Sequence, residues 1–253
     1  MDALAARMSA RSQTILVWWA LIFMVIYAAA FIGLLKMVPP PPPTLTAEEV
    51  AAFYAQNALS IKLGAMIASW TSAFMVPLAV VISVQLARLE KGWPVWSIAQ
   101  LAGGILMSLF LVLPPLFWGI AAFNPSRPAE VTALMHETAL LTLVTTDQFY
   151  IFQMVAIVYV SLTQKTDPRS PFPRWMGYYT LWAALMFEVG AIAFLPKTGP
   201  FSWSGLFVFW CPFLIFFTWM TVLAVCLLRA ISLQRRAEQR GPSVTGEALS
   251  ETV

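Results

Sequence analysis

Histidine is almost absent from this chain, cysteine nearly so, and charge is scarce. A single histidine among 253 residues excludes bis-histidine haem ligation, three-histidine zinc or copper sites and HExxH chemistry, each of which needs more imidazoles. The two cysteines, Cys211 and Cys226, fall in one apolar run. They are about 22 Å apart along a helix, too far to bridge each other and too few to hold a metal, so no metal site is expected. Charged side chains make up 11% of the residues, where a soluble domain carries about a quarter. With 60% hydrophobic residues and a mean hydropathy of +0.76, too little polar surface remains to coat a soluble core of this size. A disordered chain is excluded on the same ground. The solvent that fits is a lipid bilayer. The net charge of +3 does not signal nucleic acid, because the basic residues sit at the ends of apolar runs, where they act as topology signals.

A hydrocarbon core of about 30 Å needs about 20 apolar residues in a helix. Six stretches qualify, at roughly Thr14–Leu35, Leu63–Leu86, Val95–Phe123, Val131–Leu162, Met176–Leu195 and Gly205–Leu228. None shows the alternation of a barrel strand, and backbone groups in lipid must be satisfied within the segment. The expected fold is therefore all-α, a polytopic bundle of six transmembrane helices in contact with membrane lipids. Eleven Lys and Arg fall on one side (Arg7, Arg11, Arg88, Lys91, Lys165, Arg169, Arg174, Arg229, Arg235, Arg236, Arg240) and four on the other (Lys36, Lys62, Arg127, Lys197). The excess predicts that both termini are cytoplasmic. Residues 1–231 form the membrane domain, and the polar tail 232–253 is expected to lose order after Gly241-Pro242. Arg7 and Arg11 ahead of an apolar run ending Ala28-Ala29-Ala30 resemble a signal peptide. The run continues through Phe31, Ile32, Leu34 and Leu35, too long for one, so it is expected to stay as a span.

The first external loop has the most local structure. Pro39 to Pro43 form a stiff polyproline spacer, and Thr46-Ala47-Glu48-Glu49 reads as a capping box. Val50, Phe53 and Tyr54 follow at helical spacing. Residues 37–60 therefore predict an external loop and a short amphipathic surface helix. The stretch Val38-Pro-Pro-Pro-Pro-Pro-Thr-Leu-Thr-Ala-Glu-Glu-Val, with Ala-Phe-Tyr and Lys62-Leu-Gly-Ala-Met after it, resembles an uncharacterised group of bacterial multi-span membrane proteins. In that group a proline-rich turn, a short acidic helix and a Gly-Met-rich second span occur together. The resemblance covers the first third of the chain. It implies a bacterial inner membrane and carries no activity with it.

Chemistry in such a chain resides in its intramembrane polar residues, because a charge in hydrocarbon costs several kcal/mol. Span four carries His136, Glu137, Asp147 and Gln148. At 100° per residue they share an arc of roughly 120°, with Gln153 pointing the other way. Glu188 in span five lies at a depth close to that of Asp147, and neighbouring carboxylates at low dielectric do not both ionise easily. The pair Asp147 and Glu188 is thus the candidate acid–base site. His136 and Glu137 are candidate entrance or relay groups, Gln148 a candidate hydrogen-bond partner, and Lys62 a candidate counter-charge. Pro77, Pro114, Pro115 and Pro212 kink their helices and open cavities, which Trp118, Trp210 and Trp219, with Trp70, are placed to line. Gly103-Gly104 with Ser108, Gly177 and Gly190 mark close helix contacts.

These residues leave three readings open. One is a protein that binds an apolar small molecule, such as a lipid, a sterol-like molecule or a quinone, with acid–base chemistry on it. The second is a proton-coupled small-solute transporter. The third is a structural subunit of a membrane complex, in which the acids only tie helices together. No motif names a cofactor, and an oligomer is compatible with all three.

Overall fold

The computed structural model describes residues 8–164 and 170–240. Arg7, the first half of the basic loop (165–169, with Lys165 and Arg169) and the tail beyond residue 240 lie outside the described residues. The described chain is helical without strands, and six of its helical stretches are long and apolar enough to cross a membrane. It is an integral, multi-pass membrane protein.

The helices start where local chemistry directs. Ser9 caps α1 (Ala10–Ala29) by accepting from the Ser12 N–H at 3.1 Å. The Thr46 box is complete at the head of α2 (Ala47–Thr71): Glu49 N–H donates to the Thr46 hydroxyl at 3.2 Å, and Thr46 N–H donates to the Glu49 carboxylate at 2.8 Å. Pro94, Pro128 and Pro173 directly precede α4 (Val95–Met107), α6 (Ala129–Thr145) and α8 (Arg174–Glu188), positions where a fixed φ suits the helix and a missing N–H does no harm. The helix opened by Thr46 does not end near residue 60. It runs on to Thr71, so the turns expected to lie flat on the surface are the outer extension of span two. From Ala47 to Ala87 that helical stretch covers 41 residues, about 60 Å, twice the hydrocarbon thickness.

Most of the spans are broken. After α2, a 3₁₀ turn at Ser72–Phe74 leads to α3 (Met75–Ala87). Pro77 explains it: the ring removes the N–H that would bond the Ala73 carbonyl, and Ala73 leaves helical geometry at φ −81°, ψ 20°. Span three breaks at Ser108 between α4 and α5 (Leu109–Phe123). Span four breaks at a 3₁₀ turn, Asp147–Phe149, between α6 and α7 (Tyr150–Thr163). The Thr145 and Thr146 hydroxyls donate to the carbonyls one turn back, at 2.7 and 2.6 Å, a bond that competes with the helix ladder. Span five passes from α8 into a 3₁₀ segment, Val189–Phe194. Span one ends in a π-helical turn, Ala30–Leu34, and span six begins with one, Leu206–Trp210, before α9 (Cys211–Arg240).

Each span packs on the next, and the sixth closes on the first. The Gln13 amide donates to Gln234 at 3.1 Å, and Gln85 donates to Gln13 at 2.6 Å. These bonds tie the ends of spans one, two and six together and set the start of span one and the end of span six at one end of the ring, hereafter the terminal face. The outward surface is apolar, with Ile15, Trp18, Ile22 and Val25 of span one and Leu181, Trp182 and Leu185 of span five all exposed.

Candidate functional site

The four breaks in spans two to five share one level. Counted from the helix ends at the terminal face, Ala73, Ser108, Gln148 and Glu188 lie 13 to 15 residues deep, roughly 20–23 Å. Irregular backbone at membrane depth is tolerated where protein encloses it or where it lines a cavity, and a cavity lies here. It has a volume of about 60 Å³ and is lined by Tyr27 and Phe31 of span one, Phe110 and Leu111 of span three, Leu143, Val144 and Asp147 of span four, Phe187 of span five, and a wall of span six from Val208 to Phe217. Phe74 of span two stands behind that lining, with its ring 5.7 Å from Tyr27 and 6.1 Å from Phe216.

Asp147 is the one carboxylate of the lining. It is 3% exposed, and its Oδ1 has no hydrogen-bond partner among the described residues. Gly190 lies against it so closely that a Cβ there would stand 2.5 Å from Oδ1 and would collide with the Val144 carbonyl oxygen. Tyr150, one turn further along span four, is fully buried. Its ring stacks on Phe187 at 4.6 Å and meets Trp219 edge-on at 5.9 Å, while its hydroxyl has no partner among the described residues. Span three shows how a lost helical hydrogen bond is replaced. Pro115 deprives the Leu111 carbonyl of its helical donor, and the Tyr27 hydroxyl from span one donates to it at 3.2 Å.

The other residues singled out by sequence fall in different places. Glu188 sits at the level of Asp147, within range of its charge, but on the outward face of the ring. It is exposed on the same side as Leu181, Leu185 and Ile192 and does not line the cavity. His136 is buried in the outer layer, eleven residues from Asp147, about 16 Å along the axis. Its Nδ1 shares a 2.9 Å hydrogen bond with the Tyr54 hydroxyl, its ring meets Trp203 edge-on, and Trp203 Nε1–H donates to the Pro41 carbonyl at 2.9 Å. The imidazole thus holds the proline loop, span two and the loop between spans five and six together. Glu137 and Gln148 are half-buried. Lys62 lies over the Phe123 ring at 5.7 Å.

The four tryptophans do not line the cavity. Trp70 is exposed on the outer face, and Trp118 is buried against Phe31. Trp210 packs on Phe209 and Phe213, and Trp219 donates to the Thr180 hydroxyl at 3.0 Å. The aromatic walls are phenylalanines instead. Gln153, expected to face away, is fully buried against span three: the 3₁₀ turn shifts the register of α7, so the arc computed for a straight helix does not hold. The sequence did not flag Tyr27 and Tyr150, and it set Gln153 apart from the polar arc. Asp147, Tyr150 and Gln153 are spaced by three residues, and that spacing was the available signal.

The position of Glu188 has a consequence of its own. A carboxylate exposed on an apolar surface about 20 Å deep is unfavourable by several kcal/mol. Glu188→Leu is therefore expected to stabilise the purified protein in detergent by about 1–3 kcal/mol, read as a higher thermal unfolding midpoint. A fall in the midpoint would mean that Glu188 makes stabilising contacts with another subunit in the purified particle.

The chain matches no protein-family model, no curated protein and no solved structure.

Proposed function

We propose that the protein binds a small amphipathic molecule in the central cavity, with an apolar body against the phenylalanine walls and one hydrogen-bond donor or cationic group on Asp147. The carrying observation is the buried, unpartnered Oδ1 of Asp147 in an otherwise apolar lining. A buried carboxylate oxygen without a donor costs the full desolvation of that group, and a ligand donor offsets the cost. A volume of about 60 Å³ matches roughly four waters, so the cavity takes a headgroup or a slender chain as it stands. A quinone ring or a sterol-like body needs the half-buried rim of Leu143, Phe213 and Phe217 to swing aside. Acid–base chemistry on the ligand falls to Asp147 alone, with Glu188 outside the cavity.

Proton-coupled transport of a small solute is the second reading. The four helix breaks at one level support it, because transporters build mid-membrane sites from discontinuous helices. Under either reading we place the protein in a bacterial inner membrane with the terminal face cytoplasmic, as the basic residues at that face support.

Native mass spectrometry of protein extracted with its lipids tests the binding reading. The wild type is expected to retain a small molecule that Asp147→Leu loses. Asp147→Asn, which keeps an acceptor but no charge, is expected to hold it roughly tenfold to a hundredfold more weakly. A wild type that comes bare, or an Asp147→Leu variant loaded like the wild type, would sink the proposal.

A further inference from the structure

Among the described residues, the buried side-chain nitrogen and oxygen atoms without a partner in the chain number eight, and all eight belong to spans three and four: Gln100, Trp118, His136, Asp147, Tyr150, both amide atoms of Gln153, and Ser161. Native proteins leave few such groups, and a cluster of them calls for ordered water or a function. Several of them form a file. At the terminal face, outside the span, the Glu90 carboxylate accepts from the Trp96 and Ser97 N–H groups at 2.9 Å and from the Ser97 hydroxyl. The Ser83 hydroxyl lies next, 2.8 Å from the Ser97 carbonyl and 2.5 Å from Gln100 Oε1. Gln100 Nε2 is unpartnered. One helical turn deeper, Gly104 makes room for Gln153, whose Nε2 would be 3.2 Å from a Cβ at that glycine. Tyr150 and Asp147 follow Gln153 at three-residue intervals, on one stripe of span four.

We infer that this file is a water-assisted proton path from Glu90 at the terminal face to Asp147 at the cavity. The Glu90–Ser97 and Ser83–Gln100 bonds form the first part of the path. The Ser97 and Ser83 hydroxyls meet only through the Ser97 carbonyl, which relays no proton, so a water joins those two hydroxyls. Beyond Gln100, the residues that carry consecutive groups are offset by about 4.5–6 Å of helical rise, an offset that one water with two hydrogen bonds can bridge. The polar atoms each such water needs are the unpartnered ones. A proton passes from Glu90 by exchange along hydroxyls and waters, the amides orienting those waters, and it comes to rest on Oδ1 of Asp147. No bond other than O–H is made or broken. The other ionisable groups near the end of the path are the Tyr150 hydroxyl, on the file itself, the Tyr27 hydroxyl of the cavity lining, which donates to the Leu111 carbonyl, and Glu188, on the far side of the span-five wall. The path ends at the carboxylate of the proposed ligand site, yet it stands without any ligand.

Infrared spectroscopy of the full chain in lipid vesicles tests it. The carboxyl C=O band that disappears in Asp147→Asn is followed after transfer from H₂O to D₂O. The wild-type band is expected to shift within seconds. Gln153→Leu and Gln100→Leu are expected to slow the shift at least tenfold, Glu90→Gln several-fold. Ser161→Ala, which faces Gly177 in span five and not the file, keeps the wild-type rate. Should either leucine variant fail to fold, Gln153→Met and Gln100→Met preserve volume while removing the amide, and the same slowing is expected. In protein freed of any bound small molecule, the absence of an Asp147 carboxyl band, or wild-type exchange in the glutamine variants, would overturn the inference. Loss of ligand retention in mass spectra with exchange intact would remove the binding proposal and leave the path standing.

Discussion

Gly103→Leu is expected to abolish recovery of folded protein from membranes, and Gly103→Ala to lower stability by about 1–3 kcal/mol, whereas Gly33→Leu behaves like the wild type. The contrast follows from what each glycine touches. A Cβ on Gly103 would stand 2.5 Å from the Gln153 nitrogen and 2.6 Å from the Phe152 carbonyl carbon, both backbone atoms of span four. A flexible side chain could turn aside, but a helix backbone cannot, so α4 and α7 must separate along their whole contact. In a membrane that contact has no hydrophobic driving force to fall back on, because lipid tails are as apolar as leucine, and close backbone approach supplies the association energy. Gly104 faces Ala79 and Gln153 at short range, so separation also strips the second span from the third. Gly33 has nothing within 4 Å and is exposed. Thermal unfolding in detergent, with size-exclusion recovery as the first readout, ranks the three variants. Equal behaviour of Gly103→Leu and Gly33→Leu would show that spans three and four do not meet at that glycine.

The number of spans and their approximate limits were legible because the bilayer imposes them: about 20 apolar residues per crossing, with charges pushed to the ends. The Thr46 capping box was legible because its chemistry is local to four residues. The inside and the outside of the ring were not. In water, apolar periodicity separates a buried face from a wet one, but here Leu181, Trp182 and Leu185 face outward and are as apolar as Ala183, Ala184 and Phe187 facing in. Depth counting placed Glu188 at the level of Asp147, and nothing in its neighbours told the sequence which way it pointed. The same ambiguity moved the expected tryptophan lining to phenylalanine. Span four was read as one straight helix, although Thr145, Thr146 and Asp147 in succession are residues that compete with the ladder. Expecting a break there would have joined Asp147, Tyr150 and Gln153 into one stripe.

The second large effect is expected at Gly190, where the wall of the cavity depends on a missing methyl. Gly190→Ala places a Cβ on top of the Val144 carbonyl oxygen and 2.5 Å from Asp147 Oδ1. The first contact is with backbone, so the Val189–Phe194 segment must move away from α6. The second is with a side chain, so Asp147 must rotate out of its position. The variant is expected to lose about 1–3 kcal/mol of stability and, on the binding proposal, to lose ligand retention as fully as Asp147→Leu does. Steric overlap and loss of the carboxylate can be separated by a double-mutant cycle. In an Asp147→Ala background the carboxylate overlap is gone and the Val144 overlap remains, so the cost of Gly190→Ala is expected to fall by about 0.5–1.5 kcal/mol but not to vanish. Strict additivity of the two substitutions in thermal unfolding would mean that Gly190 and Asp147 do not touch. A Gly190→Ala protein as stable as the wild type would mean that span five does not close the cavity at the level of the breaks.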